Sequence, residues 1–178
     1  IGATTKMSML SSPLRDRFGH VFKLEYYSDD HIYEIIMRSS GLFKIKIEKD
    51  AAHKLAQCSR KTPRIANRLL RRVRDFSEVN GEKSVSVGVV DDALSRLGVD
   101  TLGLDSTDRQ ILTTIIERYK GGPVGLNTLS AAIAEEEETL ESIYEPYLLQ
   151  LGLIERTQRG RLATEKAFQH LGLPIITK

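Results

Sequence analysis

Over most of this chain, apolar residues recur three to four positions apart, which is the spacing of an amphipathic helix. Ser28, followed by Asp29 and Asp30, predicts a helix start, because a capping side chain and negative charge both suit a helix N-terminus. Pro63 suits the first turn of a later helix. Residues 28–102 are therefore expected to form a small all-helical domain around apolar positions that include Ile32, Ile36, Leu55, Leu69, Leu70 and Val73.

The last third of the chain combines helical spacing with one hairpin pattern. Helices are predicted from Asp105 or Ser106 onward, over 126–133 and over about 139–151, and two short extended segments then flank a turn at 158–160. Helix, helix, turn, helix and two-stranded wing is the order of a winged-helix domain. We assign this domain to residues 103–178.

Residues 1–27 show a third pattern, in which strands are predicted at 1–5 and 21–26 and a short helix over 10–18. This segment is too short to fold alone. We therefore expect it to be the end of a larger domain and the chain to be a piece of a longer protein.

Composition narrows the function classes only slightly. The 178 residues are 40% hydrophobic and 28% charged, which is typical of a soluble globular protein, and the net charge of +2 does not by itself indicate nucleic-acid binding. The single Cys58 excludes an internal disulfide and fits a reducing cytosol. No apolar run approaches the ~20 residues of a membrane span, and no signal peptide is visible, so we expect a cytoplasmic protein.

Several kinds of catalytic site are absent from the sequence. The four histidines (His20, His31, His53 and His170) lack zinc-type spacing, so no metal ligands are expected within this chain. The phosphate-binding loop Gly-x-x-x-x-Gly-Lys-Ser/Thr does not occur either. Residues 81–84, Gly-Glu-Lys-Ser, lack the preceding glycine, so they are predicted to be a surface loop.

Arginines provide the candidate chemistry. Arg64, in a first helical turn, is the best candidate for a phosphate contact, because helix N-termini favour anions. The arginines that follow it favour an ion-paired, solvated helix face, and they are Arg68, Arg71, Arg72 and Arg74.

In the predicted wing, Arg156, Arg159 and Arg161 surround a turn and suit contacts with phosphates, although an exposed basic turn can also serve solubility alone. The preceding helix carries Glu135 to Glu138, Glu141 and Glu145. We expect these carboxylates to repel a major groove. The wing is therefore predicted to bind DNA through phosphates, without base specificity and with steep salt dependence.

Four sequence blocks together resemble the RuvB family of bacterial AAA+ motors, which drive branch migration of Holliday junctions in recombination and repair. The blocks are Ile-Gly-Ala-Thr-Thr at 1–5, Leu-Ser-Ser-Pro-Leu-Arg-Asp-Arg-Phe-Gly at 10–19, residues 62–75, and Tyr-Glu-Pro-Tyr-Leu at 144–148 together with the basic turn at 156–161. The resemblance implies a mainly α chain: the end of an AAA+ α/β core at 1–27, a helical lid at 28–102 and the winged helix at 103–178.

The resemblance also implies roles for individual residues. Arg17 would be an arginine finger offered in trans to the ATP of a neighbouring subunit, Arg64 the sensor 2 arginine, and Thr4 and Thr5 the sensor 1 residues. The remaining implied nucleotide contacts are Arg15, Tyr27 and Pro63, and the implied DNA contacts are Arg156, Arg159 and Arg161. The cofactors implied for the full-length protein are ATP or ADP and Mg²⁺, and the implied partners are double-stranded Holliday junction DNA, a homohexamer, RuvA and RuvC.

Three positions depart from the family pattern: Lys6 replaces an arginine, Lys61 a glycine and Gln158 a proline. Because the phosphate-binding loop is missing, we expect the 178-residue chain to be inactive in ATP hydrolysis by itself. The alternative function is a free-standing winged-helix DNA-binding regulator without ATPase activity, which would leave Thr4, Arg17 and Arg64 without a purpose.

Overall fold

Two separate apolar cores organise the chain in a computed structural model, which describes residues 1–4 and 7–175. One core lies within residues 32–94 and the other within residues 104–168. The molecule is mainly helical, as the sequence predicted.

Four helices enclose the first core: α2 (Asp29–Leu42), α3 (Lys49–Gln57), α4 (Pro63–Val79) and α5 (Val87–Arg96). The Ser28 hydroxyl caps α2 by accepting a hydrogen bond from the His31 N–H at 3.2 Å. Pro63 occupies the first turn of α4, and the apolar stripe of that helix is buried, as predicted. A single parallel bridge between Ile47 and Val85 closes the bundle.

The second core is built by helices around one hairpin. Helix α6 (Ser106–Thr113) continues as a π-helical turn (Thr114–Arg118), and α7 (Leu126–Ile133) follows. The third helix runs through α8 (Glu137–Thr139), a π-helical turn (Leu140–Tyr144) and α9 (Glu145–Gln150). Strands β1 (Ile154–Thr157) and β2 (Gly160–Ala163) pair antiparallel, and Val124 bridges to Arg161 at the edge. This is the predicted winged helix.

Helix α10 (Glu165–Leu171) was not predicted from the sequence. It is short, and it is held by two buried residues, Ala167 and Phe168, which pack into the second core. Its apolar pattern is too brief to separate a helix from a tail.

Residues 1–27 differ from the prediction. The described part contains only a 3₁₀ turn (Met7–Met9) and α1 (Ser12–Arg15), so the helix expected over 10–18 is much shorter. The strands expected at 1–5 and 21–26 are wrong for the described residues, and Thr5 lies outside them. A strand needs a neighbour to pair its backbone groups, and within residues 1–4 and 7–175 the only sheet is the pair of β1 and β2.

A buried ion pair joins the two domains. The Arg60 guanidinium, in the loop after α3, lies 3.2 Å (Nη1–Oδ2) from the carboxylate of Asp108 in α6, whose side chain is fully buried. The same guanidinium stacks 4.5 Å from the ring centroid of Tyr147. Asp108 also accepts a hydrogen bond from the Asp105 N–H, which forms part of a capping box. We call this cluster the seam: Arg60, Asp105, Asp108 and Tyr147.

The linker between the domains is held from the winged-helix side. Arg109 donates to the carbonyls of Gly98 at 2.8 Å and Leu104 at 2.9 Å, and the Tyr147 hydroxyl donates to the Leu102 carbonyl at 2.6 Å. His170 lies 2.8 Å from Asp100. Because these bonds tie the linker to the winged-helix domain, the two domains are joined by specific contacts rather than by a loose tether.

None of the helices within residues 1–4 and 7–175 is long and apolar enough to cross a membrane.

The close approach at Gly103 gives a stability prediction. A Cβ at this position would lie 2.5 Å from the Cys58 carbonyl oxygen, and its φ is +74°, whereas Gly81 has a similar φ of +70° in open space. Gly81→Ala should cost about 1–2 kcal/mol for the left-handed conformation alone. Gly103→Ala should cost a further ~1–3 kcal/mol, because the linker or the Cys58 carbonyl must move to make room for the methyl group. Urea unfolding of the two variants measures the difference, and equal losses would contradict the close contact.

The buried Asp108 gives a pH prediction. Burial raises the pKa of its carboxyl from 3.8 to about 6. The folded state therefore takes up this proton at a higher pH than the unfolded state does, so the stabilisation is complete below about pH 4 and is lost as the pH rises through about 6. Relative to Asp108→Asn, the wild-type free energy of unfolding should rise by about 2 kcal/mol between pH 7 and pH 4. Urea titrations at both pH values test this, and a constant difference would refute it.

Candidate functional site

The N-terminus of α4 is open to an anion. Thr62 is its N-cap residue, but the Thr62 hydroxyl donates to the Arg60 carbonyl at 2.9 Å instead of accepting a hydrogen bond from the first turn. The N–H groups of this turn are therefore not satisfied by their cap. Arg64 is exposed beside them, immediately after Pro63. A cation and unsatisfied N–H groups at a helix start form a local environment that suits a phosphate.

A shallow groove runs along the exposed face of α4. Arg71 lies 4.8 Å from the ring centroid of Phe43, and Arg74 pairs with Asp75 at 2.7 Å and with Glu78 at 3.6 Å. Of the arginines expected on an ion-paired face, only Arg74 matches that expectation. Within the described part of the chain, no acidic side chain pairs with the other arginines along this groove, which are Arg64, Arg68, Arg71 and Arg72.

The other predicted nucleotide residues lie in the exposed segment before α2. Arg15 ends α1, Arg17 follows it, and the Tyr27 ring packs edge-on against His31 with 6.4 Å between centroids. Across residues 1–4 and 7–175, no hydrogen bond or ion pair joins Arg15, Arg17 or Tyr27 to Arg64. Thr4 is exposed as well, and Thr5 is outside the described residues.

The wing arginines converge on one carboxylate. Arg156 and Arg161 are directly opposite each other in the hairpin register. Both donate to Glu145, the first residue of α9: Arg156 through Nη2, and Arg161 through Nε and, at 3.3 Å, through Nη2. Arg159 lies exposed in the turn between the strands.

The turn is held by local bonds and by one close approach. The Thr157 hydroxyl donates to the Gly160 carbonyl at 2.8 Å and accepts from the Arg159 N–H at 3.3 Å. A Cβ on Gly160, whose φ is +131°, would come within 2.2 Å of the Val124 carbonyl oxygen. The Val124 backbone exchanges two hydrogen bonds with Arg161, so the wing is anchored on the loop before α7.

Glu145 requires a correction to the sequence analysis. It was grouped with the carboxylates expected to repel a major groove, yet it is 2% exposed and neutralised by two arginines. Burial raises the pKa of this carboxyl, but hydrogen bonds from Arg161 and Arg156 outweigh burial, so the pKa lies below its usual value. The acidic residues that remain accessible on this face include Glu136, Glu137 and Glu141.

Sequence reasoning missed the seam. The sequence analysis noted Tyr147 only within a family block and did not single out Arg60 or Asp108. The contacts of Arg60 with Asp108 and with Tyr147 span 48 and 87 positions and carry no spacing signal. Over the described residues, no group of three histidine, cysteine or acidic side chains converges to hold a metal ion.

Two family models match the chain. Residues 27–100 match the RuvB AAA lid domain, and residues 101–172 match the RuvB C-terminal winged helix domain. The boundary between the two models falls in the linker that Arg109, Tyr147 and His170 hold.

Individual proteins are similar over nearly the whole chain. Holliday junction branch migration complex subunit RuvB of Lactobacillus helveticus is 55% identical over 175 residues, which are 98% of this chain and 50% of that protein. The protein of the same name from Chloroflexus aurantiacus is 52% identical over 174 residues, again 98% of this chain and 50% of that protein. The chain thus spans about half the length of the curated relatives that it matches.

A solved structure is also similar, the Thermotoga maritima RuvB Holliday junction branch migration motor. The TM-score is 0.90 at 48% sequence identity, covering 95% of this chain and 57% of that one.

Proposed function

The chain belongs to the RuvB family, and on that premise we propose that it provides the lid and the DNA-binding winged helix of an ATP-driven Holliday junction motor. The observation that carries this proposal is the seam, because it fixes the winged helix to the helical lid through Arg60 and Asp108. A rotation of the lid would then move the wing with it.

The open start of α4 supports a nucleotide-facing role for the lid. The exposed Arg64 and the uncapped first turn fit a phosphate, and Pro63 with Tyr27 would pack the adenine. ATP, bound together with Mg²⁺ in the full-length protein, would supply the transferable phosphoryl group, and ADP would be the product. Arg64 would sense that group and transmit its presence to the lid.

Arg17 would act on the nucleotide of a neighbouring subunit. It is exposed beside Arg15, so its guanidinium is accessible to another molecule. Phosphoryl transfer spreads negative charge over the terminal oxygens, and an arginine supplied in trans stabilises that charge. Thr4 and Thr5 would contact the same terminal phosphate from within the subunit.

The wing would follow the DNA backbone. Arg156, Arg159 and Arg161 place three cations on one hairpin, and arginine suits phosphate because of its fixed donor geometry. The exposed carboxylates of the preceding helix disfavour entry into the major groove. Binding would therefore be independent of sequence, as a translocating motor requires.

The remaining assignments follow from the family. We propose a homohexamer that acts on double-stranded junction DNA in the cytoplasm, in contact with RuvA and RuvC. A free-standing winged-helix regulator is not favoured, because the relatives match across 98% of the chain, including the lid and the segment before it. The 178-residue chain alone, which lacks the phosphate-binding loop, should not hydrolyse ATP.

The role of Arg17 in trans can be tested in a full-length family member that carries this chain. Arg17→Ala and Arg64→Ala should each lower DNA-stimulated ATP turnover by roughly 10³-fold. A mixture of the two variants should recover part of the turnover, because some interfaces would combine Arg64 of one subunit with Arg17 of the next. Arg38→Ala, an exposed arginine of α2, is the control.

Full turnover in either single variant would refute the assignment of that arginine. If both variants are inactive and the mixture recovers nothing, both arginines serve the same subunit's nucleotide and the assignment in trans is wrong.

The wing contact can be tested with the 178-residue chain and a 30-base-pair duplex. Arg159→Ala should weaken binding and make the slope of log affinity against log salt shallower by about 0.9, the value for one phosphate contact. Arg118→Ala, an exposed arginine outside the hairpin, controls for the loss of charge. The same affinity and slope for Arg159→Ala as for the wild type would exclude Arg159 from the DNA contact.

A further inference from the structure

Glu145, the first residue of α9, is a buried acidic residue that lies against the wing. Glu145 is 2% exposed, and in the described part of the molecule it is one of two buried acidic residues, with Asp108. Burial of an unpaired carboxylate destabilises the folded state, so the residues that pair with Glu145 are needed for its burial.

The register of the hairpin explains why an anion is needed there. Arg156 and Arg161 are directly opposite each other on adjacent strands, and like charges in such a pair repel. Glu145 accepts hydrogen bonds from both guanidinium groups and neutralises that repulsion. The carboxylate thereby ties both strands of the wing to the start of α9.

The three wing arginines are not equally available to a ligand. The Arg161 side chain is 12% exposed and the Arg156 side chain 46% exposed, and Arg159 is exposed in the turn. Within residues 1–4 and 7–175, no acidic side chain pairs with Arg159. Exposed Glu141 lies 3.4 Å from Arg156, so that cation is shared between two carboxylates.

We propose that Glu145 is a positioning residue for DNA binding: its buried carboxylate locks Arg156 and Arg161 side by side and thereby presents Arg159 and the outer part of Arg156 to the phosphates. This inference rests on the proposed role of the wing in DNA binding. It assigns a favourable role to a negative charge in a DNA-binding surface, where charge alone would make it unfavourable.

Two substitutions on the same helix separate positioning from net charge. Glu145→Gln and Glu141→Gln each remove one negative charge, but only Glu145 is buried between the two arginines. Glu141→Gln should strengthen binding of the 30-base-pair duplex, because it removes a repulsive exposed charge. Glu145→Gln should weaken binding by roughly threefold to tenfold and make the salt slope shallower by about one unit, because the wing arginines separate.

Amide hydrogen exchange of residues 154–163 is the second measurement. Exchange in the hairpin should become faster in Glu145→Gln and stay unchanged in Glu141→Gln, while the amides of α2 to α5 remain protected in both. This protection shows that the chain is folded. Either of two results would overturn the proposal. One is that the Glu145→Gln variant binds DNA as tightly as the Glu141→Gln variant does, and the other is that its hairpin amides exchange at the wild-type rate.

A double variant covers the case in which Glu145→Gln fails to fold. Glu145→Gln combined with Arg161→Gln removes the repelling cross-strand pair and leaves a neutral pair of similar shape. It should fold and should bind DNA at least as tightly as Arg161→Gln alone, because without Arg161 no cross-strand repulsion remains for Glu145 to neutralise. Weaker binding than that of Arg161→Gln would overturn the proposal, because Glu145 would then act by a route other than this pair.

The Arg159→Ala variant distinguishes a failure of the positioning role from a failure of the proposed function. If Arg159→Ala leaves DNA binding unchanged, Arg159 is not in the DNA contact, so its assignment under the proposed function and the positioning role, which presents Arg159 to the phosphates, both fail. If Arg159→Ala weakens binding but the two glutamate variants behave alike, the wing assignment stands and the positioning role of Glu145 alone is wrong.

Discussion

The buried contact between Arg60 and Asp108 is the constraint on which the arrangement of this chain depends. It joins the loop after α3 to the first turn of α6, so it connects two domains that each have their own apolar core. A fully buried carboxylate that lost its cation would be strongly destabilising. The contact therefore favours one relative orientation of the two domains over a freely hinged pair.

The seam is specific because its partners have directional requirements. The Arg60 guanidinium stacks on Tyr147 while it meets Asp108, and the Tyr147 hydroxyl reaches the linker carbonyl of Leu102. Gly103 allows the linker to pass close to the Cys58 carbonyl, which any side chain at that position would obstruct. Together these contacts exclude most alternative placements of the winged helix on the lid.

The wing contains a second buried ion pair of the same kind. Asp108 and Glu145 are both buried carboxylates that meet arginines from another element, one at the domain boundary and one beneath the hairpin. Buried ion pairs contribute little net stability, but they penalise wrong arrangements heavily. Under the proposed function, in which the lid moves the DNA-binding domain, such pairs would maintain the geometry between the nucleotide and the DNA.

Local pattern in the sequence was sufficient for much of the fold. The helical spacing around Leu69 and Leu70, the proline at the start of α4 and the turn at Gly160 each act through neighbours a few positions away, so the lid helices and the hairpin followed from them. Family blocks then indicated which arginines to consider. Helix α10 was not predicted because its apolar pattern is brief. The strands expected before residue 27 are absent from the described residues, because strand pairing depends on a partner elsewhere.

What each charged residue does was decided by tertiary structure alone. In the sequence, Glu145 is one of several glutamates and Arg60 one of many arginines, and nothing local separates them from their exposed neighbours. Only folding brings Arg156 and Arg161 onto Glu145, and Arg60 onto Asp108 across 48 positions. Local sequence determines secondary structure because its interactions are short in range, whereas the burial and pairing of a charge depend on residues that are distant along the chain.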